Sequence, residues 1–299
     1  MMRCGRASLE ALLAHPKYSR NQELLGQAGD LADALIKKSS YAMISHLPSS
    51  LSRKIMVPHI PGIVKKQRTN GLWRIKDAER ISFEILLALS HAGLLKDIVV
   101  TEKFRYDPFQ YFLNKSDFSG YCVRNNFLCT PLPTDEALKQ ELTAGIISAQ
   151  SMDGSWGNTI VYTCKMIERL ILLGEKQGEN VNKAAAWLLS TYNQDVEGHG
   201  AKKAYGVPAH HMFLTSDRGA EYRSALKERP EWDPKQLCYN HLAMVQNGTA
   251  IYALIQLGFG DDRRVIAACD NLFFLKQKYG GWCQTNIRGA FITETKKPL

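Results

Sequence analysis

One phrase recurs three times in this chain, a Gln followed a few residues later by Gly-Trp or Gly-x-Trp. It reads Gln67-Arg68-Thr69-Asn70-Gly71-Leu72-Trp73, then Gln150-Ser151-Met152-Asp153-Gly154-Ser155-Trp156, then Gln277-Lys278-Tyr279-Gly280-Gly281-Trp282. The three tryptophans are separated by 83 and 126 residues, about two and three times 42, so a period of about 42 residues runs through the sequence. Weaker copies fall where the period places them, at Gly120-Tyr121 and in the stretch from Tyr192 to Gly198-His199. Near residue 240 the phrase is replaced by Cys238-Tyr239-Asn240-His241, which marks a specialised position. A unit of this length cannot bury an apolar face alone, so the copies must stack on one another.

Between these marks the apolar residues recur at helical spacing, as in Ile81, Ile85, Leu86 and Leu89, or Ile167, Leu170 and Ile171, or Ile251, Leu254 and Ile255. This predicts two helices per repeat and an all-α fold. Helix ends are expected at Ala92-Gly93, Leu173-Gly174 and Leu257-Gly258, where Gly can take the left-handed closing conformation. Asp262 is the expected N-cap of a helix over residues 263–277. Strand signals are scarce. Residues 115–133 and 197–233 show no clear period and read as long loops gathered over one rim.

Composition sets wider limits. The chain has 299 residues, 45% hydrophobic and 22% charged, ordinary for a folded globular protein. Its net charge of +9 and sequence pI near 9.1 suit an anionic partner such as a diphosphate, a nucleic acid or an acidic membrane surface. The Lys and Arg residues read as scattered, with local groups at Lys65, Lys66 and Arg68, at Lys202 and Lys203, and at Arg263 and Arg264, each solvating a helix end or surface. No specific nucleic-acid signal emerges. Seven cysteines, with no Cys-x-x-Cys pair, indicate a reduced, cytoplasmic setting. The first residues lack the apolar run of a signal peptide, and no run of about 18 apolar residues occurs, so a soluble chain is expected, with peripheral membrane contact left open. Gly-x-Ser-x-Gly, Gly-x-x-x-x-Gly-Lys and Gly-x-Gly-x-x-Gly are all absent.

The Gln-to-Trp phrase resembles the QW motif of squalene and oxidosqualene cyclases, which recurs in varied form in protein prenyltransferase β subunits. The likeness covers about residues 60–299. It implies an (α/α)6 toroid, or part of one, in which paired helices form an inner and an outer ring and the motif sits at the turn between them. The physical sense is that Gly permits the turn, the Gln amide satisfies backbone groups at helix ends, and the indole packs between repeats. Residues 1–60 then read as an N-terminal helical extension or capping helices, the helical pattern from Ser8 to Lys66 being broken at Pro58 and Pro61, and residues 61–299 as the toroid domain. The segment after Trp282 is short for a full inner helix, so the ring is either cut short or completed by the N-terminal helices. An armadillo- or HEAT-like solenoid shares the period but does not call for the Gln and Trp positions.

The same resemblance places a cavity at the starts of the inner helices, which here are Asp77-Ala78-Glu79-Arg80, residues 159–164, Cys238 to His241, and Cys283 onward. Asp77, Glu79, Tyr162 and Tyr239 are the catalytic candidates. The Asp-x-Asp-Asp acid of triterpene cyclases is missing, and Asp261-Asp262 reads as a helix cap. Prenyltransferases hold zinc with an Asp, a nearby Cys followed by Tyr, and a distant His. Here Cys238-Tyr239 fits that start, while the nearest preceding Asp is Asp233. Zinc is therefore the candidate cofactor, with Cys238, His241, Cys283 and His210 as candidate ligands. Cys122 and Cys129 read as free thiols on a loop. The expected function is that of a cyclase- or prenyltransferase-like toroid acting on or binding an isoprenoid or other apolar small molecule, with a helical partner subunit as a further candidate. The alternative is a non-catalytic toroid or helical scaffold that binds a ligand or a protein.

Overall fold

The computed structural model describes residues 2–74, 76–100, 104–193, 204–205 and 246–279. Helix is the dominant structure among them. In order they form α1 (Met2–Ala14), α2 (Gln22–Lys37), a 3-10 turn (Ile44–His46), α3 (Ser49–Met56), a second 3-10 turn (Val57–His59), α4 (Ile60–Lys65), α5 (Ala78–His91), α6 (Leu95–Val100), α7 (Gln110–Leu113) and α8 (Phe118–Cys122). A π-helical turn (Val123–Leu128) follows, then α9 (Asp135–Ser148), α10 (Ile160–Leu172) and α11 (Glu179–Ser190). Residues 246–256 form α12, and Arg263–Tyr279 form α13. The one ladder among the described residues is two residues long, Tyr192 and Asn193 against Tyr205 and Ala204.

The predicted closures after Ala92, Leu173 and Leu257 share one geometry. Gly93, Gly174 and Gly258 take φ of +64°, +85° and +93°. In each, the glycine N–H donates three residues back, to Ser90, Ile171 and Ile255 at 3.0 Å, and the next N–H donates five residues back, to Leu89, Leu170 and Leu254 at 2.8–2.9 Å. This pair of bonds satisfies carbonyls that a helix end leaves without partners. Asp262 caps α13 by accepting from the Arg264 N–H at 2.8 Å.

The chain divides into two compact units. The first comprises residues 1–16, 150–168 and 176–299, and the second residues 17–149 and 169–175. In the first unit α1 crosses α12 closely, because Gly248 has no side chain; a Cβ there would lie 2.6 Å from the backbone of Ala7. His15 Nε2 meets the Gly260 carbonyl at 3.2 Å. In the second unit the buried stripe of α2 (Leu24, Ala28, Ala32, Ile36) and that of α5 (Ile81, Ile85, Leu86, Leu89) supply the core.

Two local expectations change. Residues 115–133 are not one long loop: Asp117 accepts from the Gly120 N–H at 2.9 Å, starts α8, and the π-helical turn carries the chain on to Leu128. The sequence looked irregular because a π turn offsets the apolar spacing from 3.6 residues. Pro58 and Pro61 do not break the helical run either. Val57–His59 tightens to a 3-10 turn, with Pro58 and Pro61 each in the first turn of its segment, where no N–H is needed.

Candidate functional site

The first two Gln-to-Trp phrases fold into the same object. In the second unit, Gln67 Nε2 donates to the Gly71 carbonyl at 3.0 Å and to the Tyr106 carbonyl at 2.7 Å. In the first, Gln150 Nε2 donates to the Gly154 carbonyl at 2.8 Å and to the Asn180 carbonyl at 2.9 Å. Each amide thus closes its own turn and ties it to a backbone carbonyl 39 or 30 residues further on.

The match continues atom by atom. The Arg68 and Ser151 N–H groups reach the Leu72 and Ser155 carbonyls at 2.9 and 2.8 Å, and the Gly71 and Gly154 N–H groups return to Arg68 and Ser151 at 2.9 Å. Asn70 and Asp153 accept from the N–H two residues on, at 3.2 and 2.9 Å. The Ser155 backbone and hydroxyl bonds hold the Asp153 carboxyl below its ordinary range. Trp73 and Trp156 donate their backbone N–H to Ser82 Oγ and Thr163 Oγ1, both at 3.0 Å, on the helix that follows. Both indoles are buried. Gly71 and Gly154 have φ of +79° and +92°, and a Cβ on either would fall 2.2 Å from the Asp107 oxygen or 2.5 Å from the Lys183 oxygen. The third phrase, with Gln277 and Trp282, lies outside the described side chains.

Each turn delivers the chain to a helix start, and at α5 that start carries a polar network. Arg74 and Asp77 both hold left-handed backbone, φ 69° and 55°, a conformation that costs a non-glycine residue energy and that gathers at functional sites. Asp77 makes no side-chain cap and pairs loosely with Arg80 at 3.4 Å. Glu79 collects three donors: Lys115 Nζ in a short contact, Tyr111 Oη at 3.1 Å and Ser119 Oγ at 3.3 Å. Lys115 also lies 3.5 Å from Asp117 and 4.6 Å from the Tyr111 ring centroid. Burial works to lower the Lys115 pKa, but the hydrogen bonds to Glu79 and Tyr111 and the charges of Asp117 and Glu79 outweigh it and raise the pKa well above the usual lysine value. Lys115 is therefore a fixed ammonium, suited to hold an anion and unsuited to act as a base or amine nucleophile at neutral pH.

Behind this network the π turn is clamped from inside. Arg124, buried with Asp135, donates from Nε at 2.9 and 3.1 Å and from a terminal nitrogen at 2.5 Å to that carboxylate. Its other terminal nitrogen donates to the Leu113 and Lys115 carbonyls at 2.9 and 2.8 Å. Asn125 and the Leu132 N–H complete the carboxylate's partners. The Arg124 hydrogen bonds, against the opposing effect of burial, bring the Asp135 pKa down to about 2. Every lone pair is used, so this pair holds Lys115 in place and does no chemistry itself.

The remaining candidates are dispersed. Tyr162 belongs to the first unit, on the first turn of α10, where it and Val161 are large side chains left 47% and 48% exposed. Tyr239, Cys238, His241, Cys283 and His210 lie outside the described residues. Among the described residues no group of three or more His, Cys, Asp or Glu is arranged to hold a metal. Cys122 and Cys129 are free thiols that flank the π turn: Cys129 is exposed, and burial pushes the Cys122 thiol up to about 12. The Glu79 partners Tyr111, Lys115 and Ser119 escaped sequence reading because they stand 32, 36 and 40 residues away, Lys115 and Ser119 in the segment that looked like a loop. Compared with models of known families, with characterised proteins and with solved structures, the chain gives no match.

Proposed function

We propose that this chain is a terpenoid cyclase- or prenyltransferase-like toroid protein that binds an isoprenoid or similarly apolar chain among the starts of its inner helices. The observation that carries the reading is the pair of Gln-to-Trp turns with one bonding pattern. Six kinds of contact recur at matched positions in two units, which is the expectation for copies of one repeat of about 42 residues. The large exposed side chains Val161 and Tyr162, on the first turn after a Trp, are the kind of surface that an apolar ligand covers.

Binding fits the described groups better than proton-initiated cyclisation. Such cyclisation needs a carboxylic acid presented to the substrate. Asp77 is directed to Arg80, and Glu79 is surrounded by donors from its own unit. That satisfied network is also the specific observation behind the second reading, a toroid retained as a non-catalytic scaffold. Zinc on Cys238, His241, Cys283 and His210 rests on the thiolate and imidazole character of that donor set.

Equilibrium binding of a fluorescent farnesyl or geranylgeranyl analogue to the purified chain, with unlabelled squalene and free diphosphate as competitors, tests the reading. Saturable binding displaced by the apolar competitor supports it. Binding displaced by diphosphate alone, or no saturable binding, removes the isoprenoid ligand and leaves the scaffold.

A further inference from the structure

The excess positive charge is not scattered. Residues 34–76 contain nine of the chain's 38 Lys and Arg residues and none of its 29 Asp and Glu residues, so the rest of the chain is balanced, 29 against 29. The whole net charge of +9 resides in 43 consecutive positions. The structure then sorts them. Lys37 is spent on Asp33 at 2.5 Å and Arg53 on Asp97 at 2.9 Å. Lys54, Lys65, Lys66, Arg68, Arg74 and Lys76 are exposed, and none of them is within ion-pair distance of a carboxylate among the described residues.

The run α3, 3-10 turn, α4 gives these cations a common face. Ser52, Met56 and Ile63 are buried, and His59 turns inward to Asp33 at 2.7 Å. From Lys54 onward the exposed residues are Lys54, Val57, Pro58, Pro61, Gly62, Lys65 and Lys66. Their spacing of three, one, three, one, three and one places them along one side of a helix. The face is thus cationic at both ends and uncharged between, with Val57 47% exposed. At its C-terminal end the Gln67 turn folds back, Arg68 reaching the Arg74 carbonyl at 3.4 Å, and brings Arg74 beside Arg68, two residues after Lys66.

We infer that this face docks on an anionic lipid bilayer, the cations meeting headgroup phosphates and carboxylates while Val57, Pro58 and Pro61 enter the headgroup layer. A polybasic segment is attracted to such a surface, and an apolar centre adds contact area that a nucleic-acid backbone would not reward. The inference does not depend on the toroid reading, since it uses only charge and exposure in residues 34–76.

The full chain is sedimented with vesicles of phosphatidylcholine alone and of phosphatidylcholine with phosphatidylserine, at low and high salt, beside gel-shift assays with duplex DNA and RNA. Binding to the phosphatidylserine vesicles only, weakened by salt, is expected. Lys65→Gln with Lys66→Gln lowers that partitioning by about 25-fold, about 5-fold for each cation at an anionic surface. Val57→Ser weakens vesicle binding without changing its salt dependence. These substitutions alter exposed side chains, and circular dichroism melts superimposable on the parent's confirm that the fold is kept. Equal binding to both vesicle types, vesicle binding unmoved by the Lys pair, or nucleic-acid binding without vesicle binding overturns the inference.

Discussion

Gly71→Ala isolates what the Gln-to-Trp turn contributes. Gly71 sits at φ +79°, and an alanine held there costs about 1–2 kcal/mol in backbone strain. Its Cβ would lie 2.2 Å from the Asp107 oxygen, about 1 Å short of tolerable contact, and the neighbour is backbone with no side-chain end to swing away. Relief must separate the turn from residues 106–107. That separation breaks the two bonds between the Gln67 amide and Tyr106, at 2.7 and 3.1 Å, each worth about 1 kcal/mol. The sum is a loss of about 3–4 kcal/mol. Gly62→Ala is the control: Gly62 lies in α4 with nothing within 4 Å of a built Cβ, so alanine there stabilises by up to about 1 kcal/mol. Urea unfolding followed by tryptophan fluorescence compares the two. If Gly71→Ala costs less than about 1 kcal/mol, the turn is not the rigid clamp described and the reasoning from strain and contact fails.

Other consequences follow from the same contacts. Gly154→Ala, with its Cβ 2.5 Å from the Lys183 oxygen, loses a comparable amount in urea, as a repeated device requires. Asp135, with its pKa depressed to about 2 by Arg124, contributes about 2 kcal/mol of stability that is fully present above its unfolded pKa near 4 and is lost as pH falls through about 2; Asp135→Asn removes that acid limb from a stability-versus-pH curve. Among the described cysteines, Cys129 is alkylated rapidly, whereas Cys122, buried with its thiol pushed up to about 12, reacts only on unfolding, as peptide mapping after timed iodoacetamide treatment records. If Cys238 is a zinc ligand, elemental analysis gives about one zinc per chain in the native protein and a marked fall in Cys238→Ala.

The all-α character and the helix ends were legible because their causes are local. Gly93, Gly174 and Gly258 announce a left-handed closure, and Asp262 announces a cap, within a few residues of the structure they make. The turn itself was legible for the same reason, since Gln, Gly and Trp lie within seven positions. Its far anchors were not, because nothing in Tyr106 or Asn180 marks them as acceptors; they lend only backbone carbonyls, which every residue possesses. The Glu79 network escaped on similar grounds. Its partners lie on α7, α8 and the link between them, whose position depends on the buried Arg124 and Asp135 pair, and a π turn hides the apolar period that would have revealed the helix. The concentration of charge was present in the sequence, but its meaning required knowing which cations the structure neutralises.

The central claim, that an apolar chain binds at the helix starts following the Gln-to-Trp turns, is tested most directly by photolabelling. A diazirine-bearing farnesyl analogue is crosslinked to the native protein, and labelled peptides are mapped by mass spectrometry with and without competing squalene. The account predicts competed labels at the first turn of α10, around the exposed Val161 and Tyr162. Labels confined to the exposed face over residues 54–66, or labels that squalene does not compete, contradict it.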